Sequence, residues 1–312
     1  MFRVLHWSDS HRTDNTVNAT NALIPTIPKL DFPIHCGDIV PDYYPQDLGS
    51  FDPTVSAFVL GNHDTIDESG TNPNGYEWYK QPSQEVLYQK YFARMKPAFN
   101  VSMDVNTTWW SKEFTDKGVL FIGLNDTALG TAFEAQLAWL KKRVSYAEKK
   151  DLMLAVAKHG PANMCNLVRC NFTSTYMESA SFTSDKVSYN ATYDNNGEKL
   201  LNVIVQSKCK VLYVLAGHEH GDGFGYIVRN DSSKIPCIHI GSGIVDIYND
   251  VTRGGTGTTS NAVCNMIDYI PELNSLRVYR LGADAAYGGT TRKMLTFSYA
   301  SNDIVSSCGV RK

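Results

Sequence analysis

Five short polar stretches of this chain carry residue types that bind metal ions or move protons, and each follows an apolar run. They are Asp9-Ser10-His11, Gly37-Asp38, Leu60-Gly61-Asn62-His63-Asp64, His159-Gly160-Pro161 and Gly217-His218-Glu219-His220. An amide, an imidazole and a carboxylate in succession, as at Asn62 to Asp64, are too polar to continue a buried strand and read as a site at a strand end. Asp9 and His11 are two apart, so an extended backbone turns both the same way. Asp9, His11, Asp38, Asn62, His159, His218 and His220 together offer carboxylate oxygen, amide oxygen and imidazole nitrogen. That mixture suits Mn, Fe, Zn or Ni, with Mn or Fe favoured, and is too rich in nitrogen for calcium. Seven side chains exceed the three that one catalytic zinc takes from its protein, so two ions sharing a ligand account for the set better. His6, His35 and His239, standing singly in strand-like runs, read as structural.

These stretches need elements that deliver them to one place. Residues 2–7, 32–36 and 55–59 read as strands, with a helix over 15–30 broken late by Pro25 and Pro28. The result is a strand-helix-strand rhythm with its polar residues at the strand ends, as in a largely parallel sheet. A helix is expected over about 84–95, ending before Pro97, and a strand pair over 109–114 and 118–124. Phe133, Leu137, Leu140 and Val144 then predict an amphipathic helix over 131–150 with Gln136 on its outer face. Strands at 152–157 and 211–216 lead to His159 and His218, and a helix over about 198–207 precedes the second. From 224 onward the pattern changes to short β runs, with Pro271 to Asn274 as a hairpin turn. Two irregular segments, near 65–85 and 160–198, read as substrate-side insertions; Tyr43, Tyr44, Tyr76, Trp78 and Tyr79 are candidate pocket walls. No repeat or linker is visible, so a single domain over 1–312 is expected.

At 20% charged residues and a net charge of −3, the chain gives no electrostatic attraction to nucleic acid or anionic membrane. No apolar run approaches the roughly 20 residues of a membrane span. The chain opens on a strand rather than an apolar leader, and its seven scattered cysteines include no Cys-x-x-Cys pair. Reduced thiols and a cytoplasmic location are therefore expected.

With its motifs in this order, the chain resembles the calcineurin-like metallophosphoesterases. That family reads Asp-x-His, Gly-Asp, Gly-Asn-His-Asp/Glu, His and Gly-His-x-His, all five present in order between Asp9 and His220. Leu124-Asn125-Asp126 and Ile240-Gly241-Ser242-Gly243 match further landmarks. The resemblance implies a four-layer α-β-β-α sandwich of two mixed β-sheets flanked by helices. It implies that Asp9, His11, Asp38 and His220 hold one metal and that Asp38, Asn62, His159 and His218 hold the other, with Asp38 bridging. It further implies hydrolysis of phosphomonoesters or phosphodiesters by a hydroxide held between the metals, two ions about 3.5–4 Å apart being able to clamp the phosphoryl oxygens. His63 becomes the group that protonates the leaving oxygen, and Asp64 the carboxylate that orients it. Arg12 and Asn62 are the candidate substrate contacts. The purple acid phosphatases place a tyrosine ligand three residues after the bridging aspartate, where this chain has Pro41, so a tyrosinate-iron colour is not expected.

Small phosphate esters are thus the expected substrates. Two competing readings are a silent binding module on the same fold, which the intact ligand set opposes, and a nuclease of the DNA-repair branch, which would call for a basic groove or added nucleic-acid-binding segments.

Overall fold

The computed structural model describes residues 1–11, 14–40, 48–65, 83–160, 170–171, 191–218, 223–240, 262–282 and 294–308. Most of the two expected insertions lies outside these residues. Strands β1 (Phe2–Trp7), β2 (Phe32–His35) and β3 (Ala57–Phe58) run parallel. They continue through β11 (Val263–Ile270), β12 (Ser275–Gly282), β13 (Met294–Ser298) and β14 (Asp303–Cys308) into one sheet of order β14-β13-β12-β11-β1-β2-β3. The second sheet has the order β4-β5-β6-β8-β10-β9-β7. It comprises β4 (Trp110–Phe114), β5 (Val119–Gly123), β6 (Met153–Ala157), β7 (Cys170–Asn171), β8 (Val211–Ala216), β9 (Gly223–Val228) and β10 (Lys234–His239). In it β5, β6, β8 and β10 are parallel neighbours and the pairings at its edges are antiparallel. Both sheets are therefore mixed, as expected.

Helices α1 (Asp14–Leu23), α2 (Asn62–Thr65), α3 (Gln84–Leu87), α4 (Ala93–Phe99), α5 (Gly130–Lys150) and α6 (Ala191–Val205) flank them. One core joins the facing sides of the two sheets: Val4, Phe32 and Ile34 meet Phe121, Tyr213 and Leu215, with the Phe32 and Phe121 rings 5.1 Å apart. A second core lies under α5 and α6, where Phe133, Leu140, Leu201 and Ile204 cover Leu154, Val156 and Val214. Apolar residues on both faces of β6 and β8 are the signature of parallel strands buried on both sides. Among the described residues no helix is long and apolar enough to cross a membrane.

Three expectations are corrected by tertiary contacts. Pro97 lies inside α4, which follows a π-helical turn at Tyr88–Phe92 and ends only at Asn100 in the left-handed region. Burial of Tyr91, Phe92 and Met95, with Phe92 4.8 Å from the Phe58 ring, outweighs the missing N–H of the proline. Helix α6 starts at Ala191 rather than near 198 and runs through Asn195-Asn196-Gly197. There Asn196 is buried and donates to the Ala128 carbonyl at 3.2 Å, which holds this run of poor helix formers in place. Gln136, placed on the outer face of α5 by its polarity, is fully buried. Its Oε1 accepts the Asn125 N–H at 2.8 Å and its Nε2 donates to the Asn125 carbonyl at 2.7 Å.

These two hydrogen bonds satisfy the Asn125 N–H and one lone pair of its carbonyl where β5 runs out, the carbonyl also accepting the Ala128 N–H at 3.3 Å. Gln136→Leu keeps the volume but strands the buried Asn125 N–H, worth about 1–3 kcal/mol when unsatisfied, and leaves its carbonyl with the Ala128 N–H alone. Urea unfolding is expected to show a loss of about 1–3 kcal/mol. A loss below about 1 kcal/mol would mean that the Asn125 peptide finds other partners.

Candidate metal centre

The site sits where the parallel strands of both sheets end. Beyond β1 and β2 the chain makes two sharp turns side by side: the Asp9 N–H donates to the Gly37 carbonyl at 2.9 Å and the His11 N–H to the Asp38 carbonyl at 3.0 Å. Asp9, His11 and Asp38 have φ of 51°, 41° and 57°, and His218 beyond β8 has 72°. Left-handed backbone is uncommon outside glycine, and clusters of it mark functional sites. Packing between the turns is equally tight. A Cβ on Gly61 would fall 2.1 Å from Asp38 Oδ1, and one on Gly217 would fall 2.4 Å from Asp9 Oδ2, so these two approaches admit only hydrogen.

Asp38 is the hub. Its Oδ2 lies 3.1 Å from His159 Nε2, 3.8 Å from His11 Nε2 and 3.9 Å from His63 Nε2, and its Oδ1 accepts the His63 N–H at 3.0 Å. Two groups of three donors share it, His11-Asp38-His63 and Asp38-His159-His218, each with ligand atoms within 4.8 Å of one another. Asn62 adds Oδ1 to the second group, 3.0 Å from His159 Nε2 and 3.1 Å from His218 Nδ1. Its Nδ2 is buried without a hydrogen-bond partner. The carboxylate oxygens of Asp9 accept the His218 N–H at 3.0 and 2.9 Å. Arg12 and His220 lie outside the described residues, as do Tyr43, Tyr44, Tyr76, Trp78 and Tyr79. The rings of His11 and His63 meet edge to face at 4.6 Å.

The partner expected for His63 does something else. Asp64 accepts four backbone N–H groups, those of Gly61 and Asp38 on Oδ2 at 2.8 and 2.9 Å and those of Ile39 and Val40 on Oδ1 at 2.9 and 3.1 Å. Both oxygens are thereby committed to the turns, and neither meets the His63 ring. A carboxylate at the first turn of α2 is closer to the amides of its own loop than to its neighbour's side chain, because consecutive helical residues diverge. Burial, with the nearby Asp38 charge, pushes the Asp64 carboxyl up to about 6. Burial works the same way on Asp38, but the imidazoles of His159, His63 and His11 overcome it and hold that carboxyl well below its usual range.

The imidazoles divide as well. His159 is buried, which disfavours its charge, yet Asp38 beside it raises its pKa to about 10. Its Nδ1 lies 2.7 Å from the Cys36 carbonyl and so carries a proton, leaving Nε2 as the nitrogen that can bind a metal. Burial and the His159 charge lower His218 to about 4, a neutral ring ready to ligate. His35, read as structural, braces both turns: Nδ1 accepts the Gly37 N–H at 3.1 Å and Nε2 faces Ser10 Oγ at 3.1 Å. Two residues absent from the expected site lie behind it. Lys158 and Asp126 form a buried pair at 2.9 Å, and the Asp126 carboxylate also accepts the Gly160 N–H at 2.8 Å, fixing the chain on either side of His159. A lysine closing the apolar run 152–157 was the available signal.

Carboxylate, amide and imidazole donors gathered in two groups around one shared carboxylate fit a pair of transition-metal ions, and the orphaned amide of Asn62 beside them has no structural use. A model of the calcineurin-like phosphoesterases matches residues 2–222, and the chain belongs to that family. It is therefore a metal-dependent phosphoester hydrolase in its general class. Among solved structures it is similar to a dimetal phosphatase from Danio rerio, at 11% identity over 96% of this chain and 99% of that one, with a TM-score of 0.55. A purple acid phosphatase from yellow lupin seeds is 12% identical over 95% of this chain and 53% of that one, with a TM-score of 0.49. No curated protein matches the chain. At such identity these likenesses speak to the fold alone.

If His159 takes part in holding an ion, its raised pKa makes uptake depend on pH. Below about 10 the ring is protonated, and a metal must displace that proton, so affinity for the second ion should rise with pH across the neutral range by up to about tenfold per unit. Calorimetry in two buffers of different ionisation enthalpy is expected to register about one proton released by this group. Uptake without proton release would mean that His159 is already neutral.

Proposed function

We propose that this protein hydrolyses small phosphomonoesters or phosphodiesters at a pair of metal ions bridged by Asp38. The observation that carries this reading is the single Asp38 carboxylate shared between two donor groups. In it Asp9, His11, Asp38 and His220 hold one ion and Asp38, Asn62, His159 and His218 the other, the ions being Mn, Fe, Zn or Ni, with Mn or Fe favoured. When bound, such a pair supplies a nucleophilic water at neutral pH and positive charge against the phosphoryl oxygens. Asp38, kept ionised by three imidazoles, is suited to bridging. Asp64 holds the Asp38 turn through backbone amides and in this way keeps the bridge in place. Asn62 offers its unpartnered Nδ2 as a donor to a phosphoryl oxygen, a role shared in this proposal with Arg12. His63 has 22% of its side chain exposed, against 6% for His11 and 2% for His159, which favours it to meet the departing oxygen. The chain is read as one domain whose segments near 65–85 and 160–198 shape the substrate pocket.

The decisive experiment pairs elemental analysis with a panel of phosphate esters. Two metal equivalents and ester hydrolysis are expected for the protein, and Asp38→Asn should lose both ions and the activity together. One full equivalent retained with turnover intact would refute the bridge.

His63 also completes the first donor group, so its role needs its own test. General-acid help is worth about 10²- to 10⁴-fold and matters most for poor leaving groups. His63→Ala is therefore expected to keep both metals, slow alkyl phosphates by that factor and slow nitrophenyl phosphates much less. Loss of a metal would make His63 a ligand, and equal losses on both esters would leave it a purely electrostatic part.

A further inference from the structure

At the opposite end of the second sheet from the metals lies a cavity of about 330 Å³, lined by Lys208, Lys210, Arg229, Lys234, Asn274 and Tyr299 among others. Strand β8 separates the two places: Val211 lines the cavity, and Ala216 stands two residues before His218. Six residues at about 3.3 Å each put the cavity roughly 20 Å from the metal centre.

Four cations around one concavity are unusual in a chain of net charge −3, and no acidic side chain is among those lining it. The nearby carboxylates are engaged at its margins, where Asp231, whose charge reaches Arg229, accepts the Ser233 N–H and hydroxyl at 2.9 and 2.6 Å. Asp303, 61% exposed, reaches Lys234 at 3.6 Å, and Glu148 accepts the backbone N–H of Lys208 at 2.8 Å. Lys210 has only neutral partners. Its Nζ donates to Tyr269 Oη at 2.8 Å and Asn274 Oδ1 at 2.5 Å, and it sits 4.5 and 4.3 Å from the centroids of the Tyr269 and Tyr299 rings. An ammonium has three N–H groups, so one remains. Arg229 spends three of its five donors on the carbonyls of Val205, Cys209 and Ser207, which leaves two.

We propose that this cavity is a second binding site, separate from the metals, for a compact phosphate-bearing anion. A dianion with tetrahedral oxygens matches several cationic donors drawn from the turn before β8, the turn after β9 and the start of β10, and it would supply the countercharge that the tyrosine and asparagine partners of Lys210 do not. Burial alone lowers the Lys210 pKa to about 8, the mark of an ammonium held without a carboxylate. Lys208 and Lys234, nearer the rim, add the long-range attraction.

The test titrates inorganic phosphate and, separately, phenylphosphonate into protein loaded with diamagnetic Zn²⁺ at constant ionic strength, following backbone amide resonances by NMR. Saturable shifts are expected at residues 208–211, 229 and 233–235, apart from any at His63 and His159. The double variant Lys208→Gln/Lys234→Gln removes two cations near the surface, Lys208 from an exposed position and Lys234 from its place 4.1 Å over the Tyr226 ring. It should weaken the remote shifts about tenfold or more while leaving those at the metal centre unchanged. Tighter binding of phenylphosphonate would identify an organic phosphate as occupant, and tighter binding of phosphate the free ion. Shifts confined to the metal centre, equal shifts with chloride, or an unchanged response in the double variant would overturn the proposal.

Discussion

The arrangement depends first on one buried carboxylate accepting four backbone N–H groups. Asp64 ties the end of β3 to the turn after β2 through Gly61, Asp38, Ile39 and Val40, and charge-assisted bonds of this kind are roughly twice as strong as neutral ones. The tie sets where Asp38 points, and Asp38 sets the spacing of both donor groups. Two carboxylates so close together repel, and the fold resolves this by giving them different surroundings. Asp38 is ringed by imidazoles and stays ionised, whereas burial and the Asp38 charge push the Asp64 carboxyl up against the opposing pull of its amide donors.

The donor groups also straddle the two sheets. Asp9, His11, Asp38, Asn62 and His63 follow strands of the first sheet, and His159 and His218 follow strands of the second. A ligand that binds only the folded state stabilises it by mass action, and here that stabilisation is applied across the inter-sheet core. Lys158, Asp126 and His35 extend the same logic behind the site, since each restrains a turn that carries a donor without itself facing the metals.

What could be read from the sequence follows the physics of period and polarity. Strand ends were legible because an apolar run breaking into Asp, Asn or His is a strong local signal, and five such breaks in order pointed to the family. The two mixed sheets followed from the resemblance that those motifs carry, the pattern itself giving parallel units first and short β runs after them. Side-chain partners were not legible. Asp64 beside His63 suggested a pair, but only the folded turns show four amides converging on that carboxylate. Gln136 reads as surface until its amide is seen to match the Asn125 peptide. Pro97 and the Asn195 to Gly197 stretch carry breaker chemistry that distant contacts override, and the short strands β7 and β14 lack the length or alternation that would mark them.

The left-handed residues at the site have a cost that falls on the fold and not on the chemistry. Asp9, His11, Asp38 and His218 each hold a conformation that disfavours an L-residue by about 1–2 kcal/mol and that glycine adopts freely. Four such positions amount to a sizeable part of the 5–15 kcal/mol that separates a typical domain from its unfolded chain. A sequence optimised for persistence alone would relax those turns. This one keeps carboxylates and imidazoles there, so its margin against heat and its capacity to hold metal draw on the same few torsion angles, and gains in one should come at the expense of the other.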